Sequence, residues 1–431
     1  LMHWEAGSHV VVIGDDDQSI YGWRGAQGIE NMASFLDQFN ASQYSLQACF
    51  RCAPEILNFA GTLIDCNQQR IPKKMRSMAK PGGKVSVIEF QSHDLKKLLS
   101  SEEACALLAT QFGANWRQEG YTLKDLNLKK DEQPEAHKLV AAELSKEPGG
   151  WAVLARGNAS LDLMEAALHE LDVPTVRLGG KSIWDNESAV GLLNIMYGLC
   201  YANDPSILVN GLSWVGESEE SLRDIHKQLK RTKSFELLNS MDSDWQPITK
   251  SLHAFALEFN NAPSESVGRL KDGFLRCFSQ NLKNKAKVDA IEAKLNWMWR
   301  LVESYSGGMR ERMARLYRAS QKSNKKQQTQ LEDGVVLSTM SSSKGLEWGK
   351  VWVIDVEERR SPSRITNKQY EKYMEGALED DVEEFQGKLE EERRLLYVAM
   401  TRAERELVVS FRAGRCSPFI YQDMAMSQYV A

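Results

Sequence analysis

The sequence predicts an α/β protein with a parallel sheet and a mainly helical insertion. Three observations predict it. Short apolar, β-branched runs recur, and several are continuous rather than alternating, as in strands covered on both faces. Helical patterns lie between these runs, the alternation expected of parallel α/β architecture. The stretch 205–330 instead has few β-branched runs and long helical patterns.

Each element has its own signal. Val10–Ile13 reads as a strand ending in Gly14. After Arg51, Pro54 suits the first turn of a helix, and Ile56, Leu57, Ala60, Leu63 and Ile64 recur at helical spacing. Val85–Phe90 and Trp151–Ala155 read as strands, and Leu282–Tyr305 as a long helix within the insertion. The polar run Ser323–Gln328 reads as a linker. Val335–Thr339, Val351–Val356 and Leu407–Phe411 read as further strands. The acidic stretch Glu371–Gln386 reads as a surface loop or helix, and no internal repeat is evident.

A length of 431 residues suits two or three domains. The 42% hydrophobic and 26% charged fractions are ordinary for a soluble globular protein. No run of apolar residues is long enough for a membrane span. The start, Leu1–Glu5, has neither the basic nor the apolar region of a signal peptide, and the chain is expected to begin mid-domain. Seven scattered cysteines suit a reducing cytosol. Cys49-Phe50-Arg51-Cys52 is a C-x-x-C, but without a second half it reads as structural or incidental rather than zinc-binding. The net charge of −5 argues against indiscriminate nucleic-acid binding. From Ser221 to Gln327, however, 21 Lys/Arg face 11 Asp/Glu, a block suited either to a polyanion or to solvated helix faces. From Glu371 to Glu392 the balance reverses, with 10 acidic and 2 basic residues.

The segment from Ile13 to Ala26 gathers chemistry just past a strand's C-terminal end, where open parallel sheets line their ligand crevice. Gln18 is suited to orient a water or sense a phosphate. Tyr21 and Trp23 are suited to stack on bases, worth about 1–3 kcal/mol per base. Arg24 suits a phosphate. An acidic turn with a packed tryptophan is the structural alternative.

Order along the chain decides between them. Gly14–Ala26 resembles motif III of the UvrD/Rep-type (PcrA-like) superfamily 1 DNA helicases, G-D-x-D-Q-S-I-Y-x-W-R-G-A. Leu46–Arg51 resembles motif IV, Val153–Ala159 the intermediate motif, and Thr339–Trp348 motif V. Glu390–Leu407 resembles motif VI almost residue for residue. Five motifs in the family's order span nearly the whole chain.

The resemblance implies a RecA-like parallel-sheet motor fold of the P-loop NTPase superfamily with a mainly α inserted subdomain. It implies an ATP-dependent 3′–5′ DNA helicase or translocase, with this chain as its C-terminal portion. Residues 1–40 would be the tail of the first motor domain. Residues 41–204 and 331–431 would form the second motor domain, and residues 205–330 an insertion resembling 2B. Gln18 would sit near the γ-phosphate and couple it to DNA. Arg51 would contact that phosphate and Phe50 would stack on adenine. Gly345 and Glu347 would serve the ribose, and Arg402 would be the arginine finger, worth about 10³–10⁵ in rate. Tyr21, Trp23, Arg24, Arg156, Asn158, Thr339 and Ser341 would line single-stranded DNA, positioning it without reading sequence. Partners would be single-stranded DNA and its junction with duplex, in a cytoplasmic bacterial, phage or plasmid setting.

The chain also departs from the family pattern. Phe50 stands where motif IV has Tyr, Ser341 where motif V has His, and Trp348 where it has Phe. The phosphate-cradling G-x-x-x-x-G-K-[ST] is not in this sequence. Gly180-Lys181-Ser182 imitates its end, but the first glycine would fall on Thr175. The Walker B acidic pair is missing too. ATP and Mg²⁺ are therefore expected only in a complete motor, with no metal ligand in this chain and no activity alone. The missing motor domain would lie in cis or in a partner subunit. The alternative is a non-catalytic DNA-binding remnant, or a subunit completing an ATP site in trans. A purely structural protein fits least, since a scaffold needs none of Arg51, Glu347 and Arg402. Fold does not choose among repair, replication restart, plasmid maintenance and defence.

Overall fold

A computed structural model describes residues 9–22, 28–90, 133–179, 183–239, 244–305, 307–324, 334–378 and 381–421. Its strands are β1 (Ala48–Cys49), β2 (Arg76–Ser77), β3 (Lys84–Phe90), β4 (Trp151–Ala155), β5 (Thr175–Leu178), β6 (Val335–Thr339), β7 (Trp348–Val353) and β8 (Ala403–Arg412). The helices are α1 (Gly28–Phe39), α2 (Pro54–Ile64), α3 (Gln133–Leu144), α4 (Asn158–Glu170), α5 (Glu187–Cys200), α6 (Pro205–Val215) and α7 (Glu219–Thr232). They continue with α8 (Pro247–Asn261), α9 (Val267–Ser279), α10 (Lys285–Ser304), α11 (Met309–Asn324), α12 (Arg364–Met374), α13 (Val382–Met400) and α14 (Pro418–Tyr421). Two compact units result. Unit 1 draws its described residues from Leu1–Asp131, Gly150–Ser160 and Val336–Ala431, and unit 2 from Glu132–Gly149 and Leu161–Val335.

Unit 1 is a parallel sheet. Its strands run in the order β3-β8-β7-β4-β6, and every described pairing among them is parallel. All five residues of β4 and of β6 are buried, which explains their unbroken apolar runs. Ala155 pairs with Thr339, so the chain leaves two neighbouring strands side by side at their C-terminal ends. Pro54 opens α2, whose Ile56, Leu57, Phe59, Ala60, Leu63 and Ile64 are buried. Asp381 caps α13 by accepting from the amides of Glu383 and Glu384, and the helix then runs through a buried stretch to Met400.

Val10–Ile13 is not a strand. Its residues are exposed, Val11 by 81% and Ile13 by 83%, and among the described residues no strand pairs with it. β-branched composition makes a strand only where a neighbour completes the ladder.

Unit 2 is mainly helical. Its core joins Leu192, Met196, Phe259, Phe274, Phe278 and Trp299. This core reaches upstream of Pro205, because α5 and α6 pack at close range. A Cβ on Gly198 would lie 2.5 Å from that of Leu208, and one on Gly211 would lie 2.8 Å from the Ile195 nitrogen. Side chains in their own turns cap these helices. Asn186 caps α5, Asp204 α6, Ser218 α7 and Asn284 α10. Of the sequence expectations, Gly180–Ser182 and most of the linker lie outside the described residues. Gly216 ends α6 in the left-handed conformation, with its amide donating back to the Leu212 and Ser213 carbonyls.

Candidate functional site

The site is built at the C-terminal edge of the unit 1 sheet. Gly345 has φ +88°, a conformation costly for any other residue, and it turns the chain after β6 back toward β7. Beyond that turn, Glu347 accepts a hydrogen bond from Arg51 Nε at 2.6 Å. Phe50, one residue earlier, has 78% of its surface open.

Arg402 lies where α13 gives way to β8, and it is only 1% exposed. Its guanidinium donates to the Val398 carbonyl at 2.9 Å, the Leu346 carbonyl at 3.1 Å and the Thr401 hydroxyl at 3.3 Å. All three acceptors are neutral. Burial, aided by the nearby Arg51 charge, lowers its pKa to about 10. A buried cation whose bonds all go to neutral acceptors favours a visiting anion.

Thr339 ends β6, and its hydroxyl contacts Ser342 Oγ at 2.8 Å and Ser341 Oγ at 3.2 Å. On the neighbouring strand, Arg156 follows β4 and grips Glu392 of α13 through two bonds of 3.0 and 2.9 Å. The Glu392 carboxylate raises the Arg156 pKa. Asn158 starts α4, two residues on. Arg156, Asn158, Thr339 and Ser341 thus come from adjacent strand ends, although 180 residues separate the two pairs in sequence.

The motif III segment lies against this edge. Asp15 caps a short 3-10 turn, Asp16–Gln18. Tyr21 donates to the Ser341 carbonyl at 3.3 Å, and the Gly22 amide to Glu391 of α13 at 2.8 Å. Lys344 donates to the Gln18 carbonyl at 2.9 Å, with its ammonium 5.2 Å from the Tyr21 ring centre. Trp23 and Arg24 lie outside the described residues.

Sequence reasoning missed the support beneath this segment. Lys73 reaches Asp15 at 2.6 Å, Asp16 at 2.6 Å and Asp17 at 3.1 Å. Arg70 holds Asp17 through bonds of 3.1 and 2.8 Å, and the Ile71 amide donates to Asp16 at 2.7 Å. Burial acts to raise the Asp16 carboxyl, but Lys73 and the Ile71 amide outweigh it and hold the pKa below its ordinary value. Among the described residues, only Asp15, Asp16 and Asp17 group as metal ligands do, within 4.8 Å of one another. The Lys73 ammonium already lies among them, so the cluster suits that ammonium and not Mg²⁺. The signal available was two basic residues near an acidic triplet, too common a pattern to find them by. Glu391 and Glu392 were visible as part of motif VI, but not as anchors.

Comparison with known proteins follows the same motifs. Residues 212–414 match the UvrD-like helicase C-terminal domain, and residues 2–40 the UvrD/REP helicase N-terminal domain. DNA helicase II of Haemophilus influenzae is 26% identical over 428 residues, covering 94% of this chain and 52% of the relative. DNA helicase II of Escherichia coli is 26% identical over 430 residues, with the same shares covered. This chain is similar to UvrD-like helicases along nearly its whole length. ATP-dependent DNA helicase PcrA of Staphylococcus epidermidis is 25% identical over 433 residues, covering 93% of this chain and 51% of its own length. The chain thus spans about half the length of these curated relatives. The unit 1 sheet is the RecA-like fold of UvrD-like helicases. No helix among the described residues is long and apolar enough to cross a membrane.

Proposed function

We propose that this chain supplies the second motor domain, the arginine finger and part of the single-strand track of an ATP-dependent 3′–5′ DNA helicase. The reading rests on one observation above all. Arg402 is buried with only neutral acceptors, while Arg51 and exposed Phe50 come from the loop beside it. In family terms, residues 1–40 belong to the first motor domain, 41–204 and 331–431 to the second, and 205–330 to the 2B-like insertion.

Bound ATP, with Mg²⁺, supplies the phosphoryl-transfer chemistry. The residues' own tasks are positioning and charge stabilisation. Phe50 offers its open face to the adenine, and Glu347 offers a carboxylate to the ribose once Arg51 leaves it. Arg51 and Arg402 then carry positive charge to the phosphates, and Gln18 couples that event to the strand. Arg156, Asn158, Thr339 and Ser341, with Tyr21, Trp23 and Arg24, hold the DNA backbone and bases. The basic helices of unit 2 suit duplex beside a junction. A bacterial cytoplasmic setting goes with this reading, since the matched relatives cited above come from bacteria.

The missing G-x-x-x-x-G-K-[ST] favours one further statement: the chain acts with a phosphate-loop domain, in cis or in trans, and does not turn over ATP alone. The test is ATP hydrolysis by the chain, then with such a domain supplied, each with and without single-stranded DNA. No turnover alone and DNA-stimulated turnover in the second case is expected, reduced about 10³–10⁵-fold by Arg402→Ala. Turnover by the chain alone, abolished by Arg402→Ala, would sink the half-motor reading. A complete assembly with no DNA-stimulated turnover would favour a DNA-binding remnant.

A further inference from the structure

The two thiols of the C-x-x-C bracket Phe50 and Arg51, and the nucleotide reading gives them no task. Cys49 ends β1, with its carbonyl accepting from the Met78 amide at 2.7 Å. Cys52 precedes α2 and is 1% exposed, and its carbonyl accepts from Ser77 Oγ at 2.7 Å. Both ends of the turn are therefore pinned. The Cys49 and Cys52 side chains interact across the turn, and the Cys52 thiol donates to the Thr401 carbonyl at 3.4 Å. Cys49 is half-buried and open to a reagent, while Cys52 is enclosed behind it. Among the described residues neither belongs to a group of three or more metal-ligating side chains, so zinc lacks its further ligands.

We propose that Cys49 and Cys52 form a thiol–disulfide exchange site whose substrate is a small-molecule disulfide. Cys49, as thiolate, attacks one sulfur of the reagent disulfide and forms a mixed disulfide, releasing one reagent thiolate. Cys52 then attacks the Cys49 sulfur, its proton leaving with the second reagent thiol. The two cysteines lose two electrons, and the reagent disulfide gains them.

The roles are fixed by environment. The Cys52 hydrogen bond holds the Cys49 thiol down to about 5, and the same contact together with burial pushes Cys52 up. Cys49, open where Cys52 is enclosed, is thus the attacking sulfur and Cys52 the resolving one. The ring so formed contains Phe50 and Arg51, and it withdraws the Cys52 sulfur from the Thr401 carbonyl, 3.4 Å away, beside Arg402. Oxidation would fix Arg51 in one conformation at the site proposed for phosphate. That consequence rests on the nucleotide reading, whereas the exchange chemistry does not.

The test uses the full chain with oxidised glutathione, followed by alkylation and peptide mass mapping. A Cys49–Cys52 cross-link that dithiothreitol reverses is expected, with Cys66 and Cys416 still alkylated. Cys52→Ser should stop at one glutathione on Cys49, and Cys49→Ser should remain unmodified. Between about pH 8 and pH 6 an ordinary thiol with pKa near 8.5 loses about a hundredfold in thiolate, whereas Cys49 should react at a nearly constant rate. No cross-link, or glutathione on Cys49 that Cys52 never displaces, overturns the proposal. Binding of a fluorescent ATP analogue is measured separately on reduced and cross-linked chain, each with the phosphate-loop domain supplied. A weakening of tenfold or more supports the regulatory consequence, and equal affinity overturns it. A reduced assembly that binds no nucleotide counts against the nucleotide reading and leaves the exchange site to be judged on the cross-link.

Discussion

Arg51 and Glu347 stand 2.6 Å apart across 296 residues of sequence, so each engages a group that the proposed nucleotide contact would need free. The pair is partly exposed, and such pairs contribute about 0–1 kcal/mol to stability. Glu347→Gln should therefore shift thermal unfolding little while altering nucleotide affinity in the assembled motor. Calorimetry beside nucleotide titration checks this. A large loss of stability with unchanged affinity would make the pair a structural clamp.

Arg156 presents a cation at the strand edge because Glu392 holds it from behind. Arg156→Ala should weaken single-stranded DNA binding. It should also flatten the dependence of log K on log salt by about 0.7 if one phosphate contact is lost. Glu392→Ala frees the guanidinium without removing its charge, so affinity should fall while the salt slope stays. Equal slopes for wild type and Arg156→Ala would remove Arg156 from the track.

The Asp16–Lys73 contact sets a pH response. Asp16 has a depressed folded pKa, so its contribution is full above the ordinary value of 3.8 and drains as pH falls through the lower folded value. Lys73 has a raised pKa, so its contribution is full below 10.5 and is lost only as pH rises further. Lys73→Met leaves a buried carboxylate short of its main cation, a change that costs about 3–5 kcal/mol at neutral pH. Burial then dominates Asp16, so acidification toward pH 4 should stabilise the variant relative to its own neutral value. Unfolding midpoints across that range decide it, and parallel curves for both proteins would refute the linkage.

Two glycines should respond with opposite signs. Gly61 lies in α2 with open space where a Cβ would go, so Gly61→Ala should stabilise by about 0.5–1 kcal/mol. In α6, a Cβ at Gly211 would lie 2.7 Å from Ile195 Cγ1 and 2.8 Å from its backbone nitrogen. Overpacking of that kind costs about 1–3 kcal/mol and outweighs the gain in helix propensity. Chemical denaturation of both variants provides the check.

Much of the sheet was legible because burial on both faces leaves a plain mark. The strands expected at Trp151–Ala155 and Val335–Thr339 are β4 and β6 to the residue. The helix after Arg51 was legible through Pro54, and motif order singled out the nucleotide and DNA candidates, whose roles are those proposed above. Val10–Ile13 misled because its composition carries no information about the neighbour a strand requires. Lys73 and Arg70 escaped because they act from an irregular segment without periodicity, and their partners in the acidic triplet lie more than 50 positions away. Lys344 was legible as a motif residue, but its contact with Gln18 depends on how two distant turns meet.

Glu390, Glu391 and Glu392 occupy one turn of α13 and reach three different places. They accept from the Gln68 amide at 2.7 Å, the Gly22 amide at 2.8 Å and the Arg156 guanidinium at 2.9 Å. Successive helical residues point about 100° apart, so the turn works as a key with three teeth. Inserting one residue ahead of Glu390 would turn all three teeth together, each toward its neighbour's lock. Single substitutions here would be read as separate small defects, whereas insertions and deletions would fail wholesale, a genetic asymmetry peculiar to parts that mesh.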